Sequence, residues 1–103
     1  MRRRPARRYD ANHRTISDAL EAVGAMVVDL AVVGDGCPDI LVGFRGRWVA
    51  MEIKDGTRIA SERKLTHPEE HFFQRAAARA LPCFVVESIE DAIRALTAPA
   101  RAA

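Results

Sequence analysis

The segment GCPDILVGFRGRWVAMEIKDG, residues 36–56, decides the fold because it reads as two strands joined by a tight turn. Its apolar runs DILVGF and RWVAMEI flank Arg45-Gly46, a loop of the two-residue length that β-hairpins favour. The facing pairs in this register are Phe44 with Arg47, Val42 with Val49, and Ile40 with Met51. This register gives the hairpin one continuous apolar face, which a slip of one residue would expose.

The same register brings charged side chains together at the open end of the hairpin. Asp39 lies opposite Glu52, a spacing that puts their Cβ atoms about 4.5–5.5 Å apart. Lys54 stands two residues beyond Glu52 and therefore points to the same face of the sheet. The sequence thus predicts two carboxylates and one ammonium group at one end of the sheet.

Such a cluster has a chemical use. Two close carboxylates repel each other, and one lysine neutralises only one of them. Mg²⁺ is typically held by one or two carboxylates and keeps waters for a substrate phosphate, and a bound ion can activate water. Lys54 could then hold the attacking water or stabilise charge at phosphorus, which is the chemistry of phosphodiester hydrolysis. The competing interpretation is a surface salt bridge between Lys54 and either acid, a common and nearly neutral feature.

Helices and strands alternate along the rest of the chain. The predicted elements are a helix from Asp10 or Asn12 to Gly24, a strand over 25–33, the two hairpin strands, a polar loop over 55–65, a helix opened by the capping box Thr66 to Glu69, a strand CFVVE, and a last helix capped by Ser88. The order α-β-β-β-α-β-α predicts an α/β fold with a mixed sheet flanked by helices. We expect one domain over residues 10–96, a disordered basic arm over 1–9, and a disordered tail over 97–103.

Composition restricts the class of protein. The chain has 103 residues, 49% apolar and 29% charged, as expected for one soluble domain. It has no apolar run long enough for a membrane span and no secretory h-region. Cys37 and Cys83 lack metal-site spacing and resemble buried thiols of a reducing compartment. We therefore expect a cytoplasmic protein without a membrane partner.

Positive charge is concentrated at the N-terminus. The arm holds five arginines, Arg2, Arg3, Arg4, Arg7 and Arg8. Removing these five from the net charge of +2 leaves −3 for the remainder of the chain. Such an arm is typical of nucleic-acid binding, although a solvated tail without a partner is an equal alternative.

Pro38-Asp39 followed by Glu52-Ile53-Lys54 resembles the motif of the PD-(D/E)XK nuclease superfamily. The wider strings GCPDILVG, MEIKDG, KLT before a helix, and FVVES resemble its VRR-NUC (virus-type replication-repair nuclease) branch in a stand-alone, phage-like form. The resemblance covers roughly residues 10–96. It implies the restriction-endonuclease-like core α-β-β-β-α-β, here with a further helix.

The resemblance also implies roles for individual residues. Asp39 and Glu52 correspond to ligands of Mg²⁺ or Mn²⁺, the Ile53 carbonyl to a third ligand, and Lys54 to the catalytic lysine. Relatives usually carry an acidic or amide residue near the start of the first helix, where this chain has His13. Histidine is a poor Mg²⁺ ligand and a better one for Mn²⁺ or Zn²⁺, so His13 could instead orient water or contact phosphate.

Further polar residues have two interpretations each. Gln74 follows Glu70 by one turn on the helix that relatives pack beside the site, so it is a candidate catalytic assistant or part of a solvated face. Three basic residues in the loop after the motif could bind phosphates or could be ordinary loop charges. They are Arg58, Arg63 and Lys64. Trp48 could stack on a splayed base, pack under a helix, or contact a second subunit.

The first hypothesis is a metal-dependent DNA endonuclease that acts on structured or branched DNA, such as a flap or a Holliday junction, in replication, repair or recombination. The resemblance adds a homodimer in a bacterial or phage-infected cell, associated with the nucleoid. The alternative, suggested by His13, is a catalytically weak or inactive DNA-binding or accessory module. A protein-interaction domain whose arm binds an acidic partner is a weaker third hypothesis.

Overall fold

A computed structural model describes residues 11–99, which form a mixed four-stranded sheet flanked by three helices. The elements are α1 (Ala11–Ala22), β1 (Met26–Asp29), β2 (Ile40–Phe44), β3 (Arg47–Ile53), α2 (His67–Ala78), β4 (Cys83–Val86) and α3 (Ile89–Thr97), with a 3-10 turn at Ala60–Glu62 before α2. This order and the mixed sheet confirm the predicted α/β, restriction-endonuclease-like fold.

The strands lie in the order β1-β2-β3-β4, with β4 parallel to β3 and the other neighbours antiparallel. The hairpin register is the predicted one. Its pairs are Ile40 with Met51, Leu41 with Ala50, Val42 with Val49, Gly43 with Trp48, and Phe44 with Arg47. Arg45 and Gly46 have φ values of 49° and 82°, the positive values that a type I′ turn requires.

The core lies on one face of the sheet. Inward side chains of the hairpin are fully buried against α1 and α3, and they include Ile40, Val42, Val49 and Met51. Ile16 and Leu20 of α1 and Ala92 and Leu96 of α3 complete this cluster. Alternation along β3 sends Trp48, Ala50 and Glu52 to the opposite face, which α2 covers in part.

The predicted strand over 25–33 is wrong in its second half, because β1 ends at Asp29. The Asp29 Oδ1 atom accepts a hydrogen bond from the Ala31 N–H at 2.8 Å, which turns the chain away from the sheet. Val32 and Val33 are consequently 60% and 57% exposed. The valine-rich composition predicted a longer strand, but the local side-chain turn competes with the ladder.

At the C-terminal end, α3 extends through Thr97, and the Ala98 carbonyl accepts a hydrogen bond from the Arg47 guanidinium. The last described residues therefore contact the sheet. The predicted arm over 1–9, with its five arginines, and residues 100–103 of the predicted tail lie outside the described part of the chain. Among helices within 11–99, none is long and apolar enough to cross a bilayer.

Candidate functional site

Asp39 lies immediately before β2 and is 9% exposed. Its Oδ2 atom accepts a hydrogen bond from the Ile53 N–H at 2.8 Å, so the carboxylate lies beside the end of β3. Its backbone carbonyl accepts a second bond from the Leu30 N–H at 2.8 Å. Asp39 is therefore held between the segment after β1 and the motif strand, at the end of the hairpin where the register predicted it.

Glu52 is 4% exposed and its side chain is hydrogen-bonded to Asp39. Burial, followed by the nearby carboxylates of Asp39 and Glu69, raises the pKa of Glu52 to about 9, and Lys54 opposes this rise only in part. A carboxyl with this pKa keeps its proton at neutral pH, and the Glu52 side chain is hydrogen-bonded to both Asp39 and Glu69. The two predicted ligands do meet, as a buried and hydrogen-bonded pair.

Lys54 is the cation of the cluster, but its closer partner is Glu69. The Nζ atom lies 2.9 Å from Glu69 Oε1 and 3.6 Å from Glu52 Oε2. Burial alone would lower the pKa of Lys54, but the hydrogen bond to Glu69 and the negative charge of Glu52 outweigh burial and raise that pKa. Lys54 is therefore shared between Glu69 and Glu52, with the shorter contact to Glu69.

The role of Glu69 was not predicted from the sequence, which identified this residue only as part of a capping box. That box is confirmed: Thr66 Oγ1 accepts from the Glu69 N–H at 3.3 Å, and Glu69 Oε1 accepts from the Thr66 N–H at 2.8 Å. Burial works to raise the pKa of Glu69, but the Thr66 N–H and Lys54 outweigh it and lower that pKa. Glu69 Oε1 thus caps the N-terminus of α2 and also accepts a hydrogen bond from Lys54. Lys54 and Glu69 are fifteen residues apart, so no local sequence pattern indicates this second contact.

Gly36 explains how α2 comes so close to the motif. Its φ is +78°, and a Cβ atom at this position would lie 2.2 Å from the Pro68 carbonyl oxygen. The loop before Asp39 therefore packs directly on the first turn of α2, which only glycine permits. This contact places Glu69 and Asp39 on the same end of the sheet.

Near the start of α1, the residue that contacts the strands of the site is Asn12, whereas the sequence indicated His13. The Asn12 Nδ2 group donates to the carbonyls of Lys54 and Glu87, at 2.9 and 3.0 Å, and so fixes α1 to the ends of β3 and β4. His13 is 9% exposed, and its Nε2 atom lies 4.0 Å from Asp29 Oδ2. Among residues 11–99, no group of three or more His, Cys, Asp or Glu side chains could hold a metal, so His13 is not brought into a ligand set with the carboxylate pair.

The remaining donors nevertheless fit a hard divalent cation. Asp39 and Glu52 offer carboxylate oxygens, and the Ile53 backbone lies directly beside Asp39. Mg²⁺ needs only one or two protein carboxylates when waters and substrate oxygens complete its shell. A cation of this kind would take the place of the Glu52 proton, because metal ligands bind in their deprotonated form.

Gln74 is not part of this cluster. It is exposed and lines a cavity of about 340 Å³ between α2 and β4, with Arg47, Phe73 and Phe84 among the other lining residues. Glu69 and Gln74 are five residues apart, so they point to different sides of α2. The structure therefore gives Gln74 no place beside Lys54, and its assisting role stays a prediction.

The predicted phosphate-binding loop carries its charges largely in internal pairs. Arg58 lies 3.7 Å from Asp55 and 3.5 Å from Glu62, while Arg63 lies 3.0 Å from Glu87. Lys64 is exposed. Arg58 and Arg63 thus stabilise the loop and its junction with β4, and their contact with phosphate stays a prediction.

Comparison with known proteins agrees with the observed fold. A solved structure described as "VRR_NUC domain" matches with a TM-score of 0.63 and 27% sequence identity, over 80% of this chain and 86% of the other. No protein-family model and no curated protein matches the sequence. The structural likeness confirms the predicted resemblance of the chain to the VRR-NUC type of nuclease domain.

Proposed function

We propose that this domain is a divalent-metal-dependent endonuclease that hydrolyses phosphodiester bonds in branched or flapped DNA. The observation that carries the proposal is the buried Asp39–Glu52 pair with the Lys54 ammonium 3.6 Å from Glu52. The likeness to a VRR-NUC domain supports the nuclease class. Metal dependence and the branched substrate are inferred from the chemistry of the cluster and from the resemblance.

Asp39, Glu52 and the Ile53 carbonyl would hold Mg²⁺ or Mn²⁺ at the end of the hairpin. When bound, such an ion supplies a polarised phosphoryl oxygen and a water of lowered pKa. Glu52, whose pKa is raised in the metal-free protein, would lose its proton when the ion binds, so both carboxylates would be charged as ligands. The burial of the pair keeps bulk water from competing for these oxygens.

Lys54 would act on the substrate side of the same cluster. Attack by water forms one P–O bond and breaks another, and negative charge builds on the phosphoryl oxygens. An ammonium held in a fixed position can donate to the attacking water or to one of these oxygens, and such preorganised donors are strong contributors to catalysis. Glu69, at 2.9 Å from Nζ, is the positioning residue that fixes this ammonium.

The finer setting of the activity is also a proposal. One such cluster, as found among residues 11–99, would cut one strand, so a homodimer would place two clusters on the two strands of a branched substrate. The five arginines of the arm would add contacts to phosphates away from the cut. We propose a role in DNA replication, repair or recombination, including Holliday junctions, in the cytoplasm of a bacterium or phage-infected cell.

The decisive experiment is cleavage of labelled duplex, single-stranded, flapped and four-way-junction DNA with Mg²⁺, Mn²⁺ or EDTA. We expect metal-dependent cutting that Lys54→Ala and Asp39→Asn abolish, while DNA binding by Asp39→Asn persists. Glu70→Gln is the matched control, because Glu70 is an exposed carboxylate on the same turn of α2. If Asp39→Asn cuts normally, the assigned site is wrong.

A second candidate function is a DNA-binding or accessory module without catalysis. It is favoured by the absence of a three-residue ligand group within 11–99 and by the contact of His13 with Asp29. Calorimetry separates the two candidates, because this module would bind DNA but neither Mg²⁺ nor Mn²⁺ at millimolar concentration. In that case His13→Glu becomes the informative variant.

A further inference from the structure

Trp48 lies on the same face of the sheet as the carboxylate cluster. Along β3, the side chains of Trp48, Ala50 and Glu52 alternate with the buried Val49 and Met51. Trp48 is nevertheless 49% exposed, although large aromatic side chains are usually well covered. It is the only tryptophan of the chain. An open aromatic ring thus lies on the same face of the sheet as the proposed catalytic groups.

The position of this ring is fixed by Gly43, its cross-strand partner. A Cβ atom on Gly43 would lie 2.9 Å from ring atom Cζ3 of Trp48, so the indole rests directly against the glycine backbone. A ring supported in this way is held in place before any ligand arrives, which reduces the entropy cost of binding. Gly43 therefore prepares Trp48 as a rigid contact surface.

A cavity of about 280 Å³ adjoins the indole, between the sheet and α2. Its walls include the apolar side chains of Leu41, Ala50, Phe72 and Leu81. Arg75 and Arg79 of α2 also line it and give it a positive edge. The volume lies just below the roughly 300–1,000 Å³ of typical ligand pockets, so it suits a single flat ring.

We propose that Trp48 and this cavity receive an unpaired base of the DNA strand that is cut, a proposal that rests on the nuclease function above. Bases stack on exposed aromatic rings in proteins that bind single strands, and arginines beside such rings contact the phosphates. The combination of an apolar wall, a fixed indole and two guanidinium groups is complementary to a nucleotide with its phosphate. A fully paired duplex presents no free base to this surface.

The distance along β3 predicts where the unpaired base lies. Trp48 and Glu52 are four residues apart on one strand, which corresponds to about 13 Å at roughly 3.3 Å per residue. A stacked strand advances about 3.4 Å per nucleotide, so this span covers about four nucleotides, and fewer where the strand is unstacked. The preferred substrate is therefore DNA with an unpaired nucleotide within about four positions of the scissile phosphate, as at a flap or junction.

Trp48 fluorescence provides a direct test, since no other tryptophan contributes. In EDTA, wild-type protein is titrated with a fully paired duplex, with a duplex that carries one unpaired nucleotide at successive positions from a nick, and with the same duplexes bearing an abasic site there. We expect quenching by the unpaired base within a four-nucleotide window and none by the paired or abasic duplexes. Equal quenching by all three, or none by any, overturns the inference.

Affinity provides the second measurement. Trp48→Ala should weaken binding of the unpaired-nucleotide duplex about 5- to 150-fold, the range expected for loss of one base–aromatic stack, and Trp48→Phe should restore part of it. Ile59→Ala, which removes another exposed apolar side chain outside this cavity, should have no effect. Sedimentation of Trp48→Ala tests the competing occupant, because conversion of a dimer to a monomer would show that the ring is a subunit contact and refute base binding.

The two proposals can fail separately. Metal-dependent cutting without Trp48 quenching would leave the nuclease function intact and reject the base site. Quenching that depends on the unpaired base, without cutting in Mg²⁺ or Mn²⁺, would keep the base site and reject catalysis.

Discussion

We expect the metal-free domain to become less stable as the pH rises from 6 to 8, because Glu52 stays protonated in the folded state and is ionised in the unfolded state. In the unfolded chain this carboxyl titrates near its ordinary value of 4.5, whereas burial and the carboxylates of Asp39 and Glu69 raise its pKa to about 9 in the folded state. Across this window the folded state therefore binds a proton that the unfolded state has released. Stability must then fall as pH rises, because the free energy of unfolding follows the difference in bound protons.

The magnitude follows from linkage. One proton of difference costs at most about 1.4 kcal/mol per pH unit, or about 3 kcal/mol from pH 6 to pH 8. The positive charge of Lys54 opposes the rise in the pKa of Glu52, which reduces the proton difference toward pH 8. We expect about 1–2 kcal/mol, which moves a urea midpoint by roughly 0.5–1 M for a small domain.

The assay compares urea unfolding of wild type and Glu52→Gln in EDTA at pH 6, 7 and 8. Glu52→Gln should lose most of the pH dependence, because a neutral amide replaces the carboxyl that changes its proton count. Glu21→Gln, an exposed carboxylate on α1, should retain the wild-type slope. The difference between variants removes the contributions of all other ionisable groups.

Metal provides the complementary measurement. If Mg²⁺ displaces the Glu52 proton, its apparent affinity should rise with pH by up to about tenfold per unit between pH 6 and pH 8. Saturating Mg²⁺ should also flatten the dependence of stability on pH. The reasoning is refuted if wild type and Glu52→Gln share one pH slope, or if the affinity for Mg²⁺ does not change with pH.

Three further perturbations probe the site and the arm. Glu69→Gln should displace Lys54 and slow single-turnover cleavage by about 100-fold without changing the affinity for DNA. The control Glu70→Gln should cleave at the wild-type rate, and equal cleavage rates for the two variants would show that Glu69 has no part in the mechanism. Gly36→Ala should destabilise the fold by about 3 kcal/mol in urea unfolding, through positive φ and overlap with Pro68. Gly34→Ala, with φ +78° and open space around it, should cost only about 1–2 kcal/mol, and equal losses would disprove the close contact. Deletion of residues 2–9 removes five arginines and should make the slope of log association constant against log salt concentration less negative by about 4–5. An unchanged slope would show that the arm does not contact DNA.

The hairpin could be predicted from sequence because its signals are local and agree with one another. The Arg45-Gly46 turn, the alternation of apolar residues and the burial of one face all require the same register, and the structure has that register. The capping box of α2 is equally local and is also confirmed. Where several short-range requirements agree, one sequence is sufficient to predict the local structure.

Other features could not be predicted, because they depend on competing hydrogen bonds or on contacts between residues far apart in the sequence. The strand predicted over 25–33 failed because the Asp29 side chain offers the Ala31 N–H an alternative to the ladder. Glu69 was recognised as a helix cap, but its contact with Lys54 depends on how α2 packs over the sheet. That packing depends in turn on the approach of Gly36 to Pro68, which has no periodic signature.

The burial and pairing of the cluster argue against the surface salt bridge that the sequence left open. A surface pair would expose its acids and join Lys54 to one of them, whereas Asp39 and Glu52 are 9% and 4% exposed and Lys54 lies closest to Glu69. Two buried, hydrogen-bonded carboxylates destabilise a fold unless a cation compensates them. Because Lys54 is paired with Glu69, the compensation under the proposed function would come from a divalent ion held by Asp39 and Glu52 beside the Ile53 backbone at the end of the sheet.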